Sequence, residues 1–336
     1  FPIGRFRAAI RGVPLRAGHR LGGGWKMNVA VTAIWLIVTL LMVPVLTYFF
    51  GTPLGVTELA ALKILVWILF TAWILCFVLG ELSGNVSQVD RLWSLLPVAY
   101  VWVVAAFAQF SPRLLLMALP VTVWGIRLTY NFARQGGYRL KFWNGHEDYR
   151  WQVLRQRPEF EPAWRWTAFN LVFISGYQNI LILLMTLPSL VALQFADTPI
   201  GPLDYIATLF MLAFIGYETI ADNQQWRFQK AKRAFAGSND PPDVYARGFL
   251  DSGLWAYSRH PNYFAEQGLW LAFYLYSVAA SGQWIYWSIS GCLLLIILFR
   301  GSSNFSEEIS AGKYPGYRTY QETVPRFIPL RLLGRL

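Results

Sequence analysis

The chain has 336 residues, 55% hydrophobic and 17% aromatic, with 14% charged and a formal charge of +11. That balance excludes a pair of ordinary soluble domains and points to a polytopic, all-α integral membrane bundle of about seven to eight transmembrane helices. The basic excess suits cytoplasmic loops and anionic lipid headgroups, and no basic helix or zinc spacing indicates nucleic acid.

Residues 1–28 form a basic leader with Arg5, Arg7, Arg11, Arg16, Arg20 and Lys26 and no acid. An over-extended start or a disordered basic tail accounts for it, an Arg-rich transit peptide being the other reading. A transmembrane domain is expected over 29–300, and a cytoplasmic tail over 301–336 that folds back on it. Apolar runs at about 29–50, 60–80, 93–110, 114–133, 167–195, 203–222, 267–281 and 284–300 are the spans. Short connectors alternate with long basic ones, which places both termini and the long connectors on the cytoplasmic side. Any chemistry then opens to that side.

Cys76 and Cys292 lie within apolar runs and read as packing residues. His19, His146 and His260 are too few for a multi-His metal centre, so no metal is expected.

The connector from Glu81 to Ser94 is dense in hydrogen-bonding groups, with Asn85, Ser87, Asp90 and Trp93 beyond what a plain turn needs. The fourth span ends in a polar stripe of Arg127, Asn131 and Arg134, where snorkelling is the competing explanation. Residues 135–166 read as a loop with a short amphipathic helix, its tryptophans and the 147–151 stretch serving interfacial packing. On the sixth span Glu218, Asp222, Gln225 and Gln229 follow helical spacing, and two acids a turn apart near a membrane need water, a base or a ligand. Residues 230–250 are either a closing loop or a passive linker.

Ser252–Glu266 concentrates the remaining signals. Pro261 suits the first position of a helix running to Ser281, with His260 as its cap. Asn262 and Glu266 then share a face, as do Arg259 and Tyr263. An interfacial anchor explains the aromatics but not an amide and an acid pointing inward one turn apart. No GxGxxG, P-loop, HExxH or Ser/His/Asp pattern accompanies them.

The segments Leu254–Glu266, Ala221–Phe228 and Ser87–Trp93 closely resemble the bacterial membrane proteins of unassigned function (DUF1295) grouped with the steroid 5-alpha-reductases, and the core also resembles sterol and enoyl reductases. The resemblance covers most of 60–330. It implies NADPH-dependent reduction of an activated C=C bond in an apolar steroid-, lipid- or isoprenoid-like substrate arriving from the bilayer, in a bacterial inner membrane. It further implies that Asn262, Tyr263 and Glu266 line the nicotinamide end. Arg259, His260, Asp222, Gln225, Arg127 and Asn131 then form the other cofactor walls, and Glu81 or a pocket tyrosine acts as proton donor. Gly80 stands where the animal steroid enzymes carry Gln before their acid, which puts a steroid enone in doubt. Arg259-His260-Pro261, Glu307-Glu308 and Tyr317–Pro329 also resemble the isoprenylcysteine carboxyl methyltransferases, which use S-adenosylmethionine. A non-catalytic lipid or sterol carrier is the third reading. Oligomeric state is left open.

Overall fold

The computed structural model describes residues 42, 45, 48, 49, 51–138, 147–235 and 242–330. The basic leader, most of the first expected span, His19 and His146 lie outside the described residues. Every element among the described residues is helical.

The helices are set by local signals at their ends. Helix α1, Val56–Ser83, stops where Gly84 takes a left-handed φ of 64°. A short turn of helix, α2 (Gln88–Leu92), leads into α3 (Leu96–Phe107) and then α4, Pro112–Arg134, which starts with proline in its first turn. After α5 (Tyr149–Arg155) the chain re-enters the bundle as α6 (Ala163–Phe169), a π-helical segment Asn170–Tyr177, α7 (Gln178–Thr186) and α8 (Pro188–Gln194). Helix α9, Pro202–Ala234, opens on Gly201 and Pro202, with Asp204 accepting from the Gly201 N–H at 2.9 Å. It is followed by α10 (Asp243–Ala246), α11 (Pro261–Ser281), α12 (Ser290–Lys313) and α13 (Tyr317–Thr323).

Five helical stretches among the described residues are long and apolar enough to cross a membrane: Val56–Ser83, Pro112–Arg134, Ala163–Gln194, Pro202–Ala234 and Trp287–Lys313. Two expected spans drop out of that set. The 93–110 run contains a helix of only 12 residues, because Gln109 and Phe110 turn the chain in positive φ (50° and 56°) right after it. Helix α11 has the length, but Asn262, Glu266 and Gln267 fill its first two turns. Conversely, α12 does not end near residue 300. It continues to Lys313, so 301–313 extend a spanning helix, and only the part from Tyr314 on leaves it.

The bundle has two differently built ends. At one, short connectors are pinned by a buried pair: Arg113 donates to both oxygens of Asp204 at 2.7 and 3.1 Å, and to the carbonyls of Thr198 and Pro199. At the other end meet the C-terminal turns of α4 and α9 and the N-terminus of α11, together with the 84–93 connector, α5 and the chain after α12. Helices α9 and α11 form the principal helix–helix contact of the bundle.

Candidate active site

Helix α4 brings Arg127 and Asn131, α9 brings Glu218 and Asp222, and α11 brings Asn262. Asp222 accepts from Arg127 at 2.7 Å and from Asn131 at 2.8 Å through one oxygen, and from Asn262 at 3.4 Å through the other. Arg127 also pairs with Glu218 at 2.8 Å. The two acids one turn apart on α9 thus clamp one guanidinium, which is why they tolerate burial. Arg134 extends the stripe to Asn131 and Asn223. Within this group Arg127 Nε, Glu218 Oε2 and the nearby Gln225 Oε1 are buried with no hydrogen-bond partner.

Glu266, expected to line the ligand site with Asn262, is buried one turn further along α11. Its two oxygens accept from the indoles of Trp124 at 2.8 Å and Trp270 at 3.0 Å, and those rings meet edge to face at 5.2 Å. Its charge remains within electrostatic reach of Arg127.

Arg259 and His260 form a separate cluster around Glu307. Arg259 donates Nε and Nη2 to the two oxygens of Glu307 at 2.9 and 3.2 Å, and Nη1 to the carbonyls of Gln321 and Val324. His260 Nε2 contacts Glu307 at 2.9 Å, and Gln321 donates to the same carboxylate. The backbone N–H groups of Arg259 and His260 donate to the Pro325 and Arg326 carbonyls, so residues 325–326 run beside the two residues that precede α11. Burial lowers the His260 pKa below its ordinary 6.5, with Arg259 and Arg326 pushing the same way against the Glu307 hydrogen bond.

Tyr263 stands between these clusters. Its ring stacks on Phe299 at 4.4 Å and on His260 at 5.2 Å, and its hydroxyl approaches Arg150 Nη1 at 3.3 Å and Ser302 Oγ at 3.5 Å. The 84–93 connector is tied to the segment that carries Arg150: Val86 N–H donates to Glu147 at 3.1 Å, Ser87 Oγ accepts from the Asp148 N–H at 3.0 Å, and Trp151 reaches Asp90 at 3.4 Å. Burial, with Asp148 beside it, pushes the Asp90 carboxyl above the usual range.

Glu81 is exposed near the end of α1 and accepts from Asn170 at 2.7 Å and Thr167 at 3.0 Å. Both its oxygens serve as acceptors to α6 and the π-segment, and no hydrogen bond ties it to Asn262 or Tyr263. Sequence reasoning missed Arg150 and Ser302, whose stretches carry no periodic polar signal. It also missed the hub role of Glu307, for which only the Glu307-Glu308 pair gave a hint.

Among the described residues no group of His, Cys, Asp and Glu has the arrangement of a metal site. Spanning apolar helices with a polar cluster gathered at one end define a helical membrane protein. The chain belongs to the family described as "Protein of unknown function (DUF1295)", whose model matches residues 76–324. It is similar to a Schizosaccharomyces pombe protein described as "Uncharacterized protein C594.04c", with 37% identity over 276 residues, covering 76% of this chain and 78% of the relative. No solved structure gives a significant match.

Proposed function

We propose that the chain is a membrane-embedded reductase that uses NADPH to reduce an activated carbon–carbon double bond of an apolar substrate. The observation that carries this reading is the convergence of Asn262, Asp222, Arg127 and Asn131 from three helices onto one hydrogen-bonded cluster, in segments that resemble the steroid-type reductases. Buried polar groups at membrane depth are costly without a purpose.

The residues present suit a dinucleotide. Glu218 Oε2 and Gln225 Oε1 are buried acceptors without partners, fit to receive ribose hydroxyls or an adenine amine, and Arg127 Nε is a buried donor. When bound, NADPH supplies the hydride. Asn262, Asp222 and Asn131 orient the cofactor through side chains already fixed by one another. Tyr263 holds the proton, in place of Glu81, whose oxygens are both engaged as acceptors.

A second reading, methyl transfer from S-adenosylmethionine, draws support from the charge balance. Glu218, Asp222 and Glu266 lie around Arg127 with Arg134 beside them, three carboxyl groups to two guanidiniums, a surrounding that favours a sulfonium cation.

The test is the thermal midpoint of the detergent-purified protein with NADPH, NADH or S-adenosylmethionine, for wild type, Asn262→Ala and Asp222→Asn. A ligand at a hundredfold excess over its Kd adds about 2.7 kcal/mol. A shift with NADPH that both variants lose supports the reductase. A shift with S-adenosylmethionine alone replaces it with the methyltransferase, and no shift with any of the three leaves a non-catalytic lipid-binding role.

A further inference from the structure

We infer that Arg150 is a positioning residue for Tyr263, holding its hydroxyl so that the phenolic proton is directed away from the protein's own donors and toward the nicotinamide end of bound NADPH. This inference rests on the reductase reading above.

The first step is how firmly Arg150 is fixed. Asp148 caps α5 by accepting from the Arg150 backbone N–H at 2.8 Å, then accepts from Nε at 3.0 Å and Nη2 at 2.8 Å. Three donors of one residue are spent on one carboxylate, so the guanidinium has a single orientation. Its remaining terminal nitrogen, Nη1, reaches across to two other helices. It lies 3.3 Å from the Tyr263 oxygen on α11 and donates to Ser302 Oγ on α12. The two hydroxyls are themselves 3.5 Å apart, which closes a triangle.

Donor chemistry then sets the direction of the proton. Arginine has five donors and no acceptor. In the contact with Arg150 the Tyr263 oxygen is therefore the acceptor, and its own O–H is left to donate to the ligand or to Ser302 Oγ, 3.5 Å away. Ser302 also accepts from Arg150. The ring plane is fixed independently, since Tyr263 stacks with Phe299 (interplanar angle 29°) and with His260 (14°).

An interfacial anchor behaves differently. A belt tyrosine keeps its hydroxyl in water and needs no fixed partner. Here the partner is a guanidinium 113 residues earlier in the chain, itself clamped. Burial opposes the charge on Arg150, but Asp148 outweighs that and holds its pKa well above the ordinary value. With Asp148 neutralising it, the pair contributes direction rather than a general attraction for anions.

The experiment is a double-mutant cycle on NADPH affinity, read by the fluorescence of the bound dihydronicotinamide, with Arg150→Gln, Tyr263→Phe and the double variant. Each single variant is expected to weaken NADPH roughly tenfold or more, the worth of a hydrogen bond involving a charged group. The double variant should be no weaker than Tyr263→Phe alone. A merely structural Arg150 would instead add its own loss on top of that of Tyr263→Phe. Ser302→Ala breaks another corner of the triangle without removing charge, and it carries the same cycle if Arg150→Gln does not fold. Additive losses overturn the inference, as does an unchanged Kd in the single variants when wild type binds. Failure of wild type to bind NADPH overturns the reductase reading and this inference together, and so is told apart from the other outcomes.

Discussion

Arg259 and Glu307 form a two-pronged ion pair, 2.9 and 3.2 Å, between residues that are 8% and 2% exposed. The pair joins the residues before α11 to the second half of α12, and through the carbonyls of Gln321 and Val324 it ties down the end of α13. Removing one partner of such a pair strands the other charge, which costs roughly 3–5 kcal/mol. Glu307→Gln is therefore expected to lower the thermal midpoint sharply and to expose bonds after residue 314 to protease. Protease resistance equal to wild type would show that the clasp does not depend on this pair.

Glu266 ties α11 to α4 through the indole of Trp124. Both its oxygens are occupied by indole N–H groups that are themselves fully buried. Glu266→Ala leaves two unpaired donors, at roughly 1–3 kcal/mol each. Glu266→Gln keeps one acceptor oxygen, so its loss should be intermediate, with NADPH affinity changed by no more than about threefold. A large loss of binding at an unchanged midpoint would place Glu266 in the ligand site.

The parts of this arrangement that were legible in the sequence are those written in local signals. Pro261 at a helix start after His260, and the spacing of Arg127 with Asn131 and of Glu218 with Asp222, are periodic features, and the structure realises each on the expected helix. Hydropathy alone merged the turn at Gln109–Phe110 into a span, because apolar residues in a positive-φ turn look like helix. Arg150 meeting Tyr263, and Arg259 meeting Glu307, are long-range pairs made by packing and carry no local mark. The indoles that occupy Glu266 were hidden for a related reason: Trp270 lies one turn on, but Trp124 comes from another helix.

The pH dependence of stability should report on His260. Its folded pKa lies below the ordinary 6.5, chiefly through burial, while Arg259, Arg326, Glu307 and the stacked Tyr263 ring face it. Above pH 6.5 both folded and unfolded forms are neutral, and the group contributes nothing. As pH falls through that value the unfolded chain binds the proton first, so stability drops, by at most about 1.4 kcal/mol per pH unit, until the folded form also titrates. His260→Gln can still donate to Glu307 but cannot titrate, so its midpoint should fall less between neutral and mildly acid pH. An identical slope in the variant would assign the acid sensitivity to another group.

Two glycines on α12 separate backbone contact from helix propensity. A Cβ added at Gly291 would lie 2.3 Å from the backbone carbon and oxygen of Leu184 and from the Met185 nitrogen. Main-chain atoms of α7 cannot swing aside as a side chain can, so Gly291→Ala must push the two helices apart, at about 1–3 kcal/mol or more. Close approach through a small residue is how spanning helices gain packing energy where lipid offers no hydrophobic drive. Gly301, ten residues on in the same helix, has nothing within 4 Å of such a Cβ. Gly301→Ala should therefore stabilise by up to about 1 kcal/mol, the propensity difference between the two residues. Thermal midpoints moving in opposite directions for the two variants are the expected result. A neutral Gly291→Ala would mean that α12 and α7 are not in backbone contact in the folded protein.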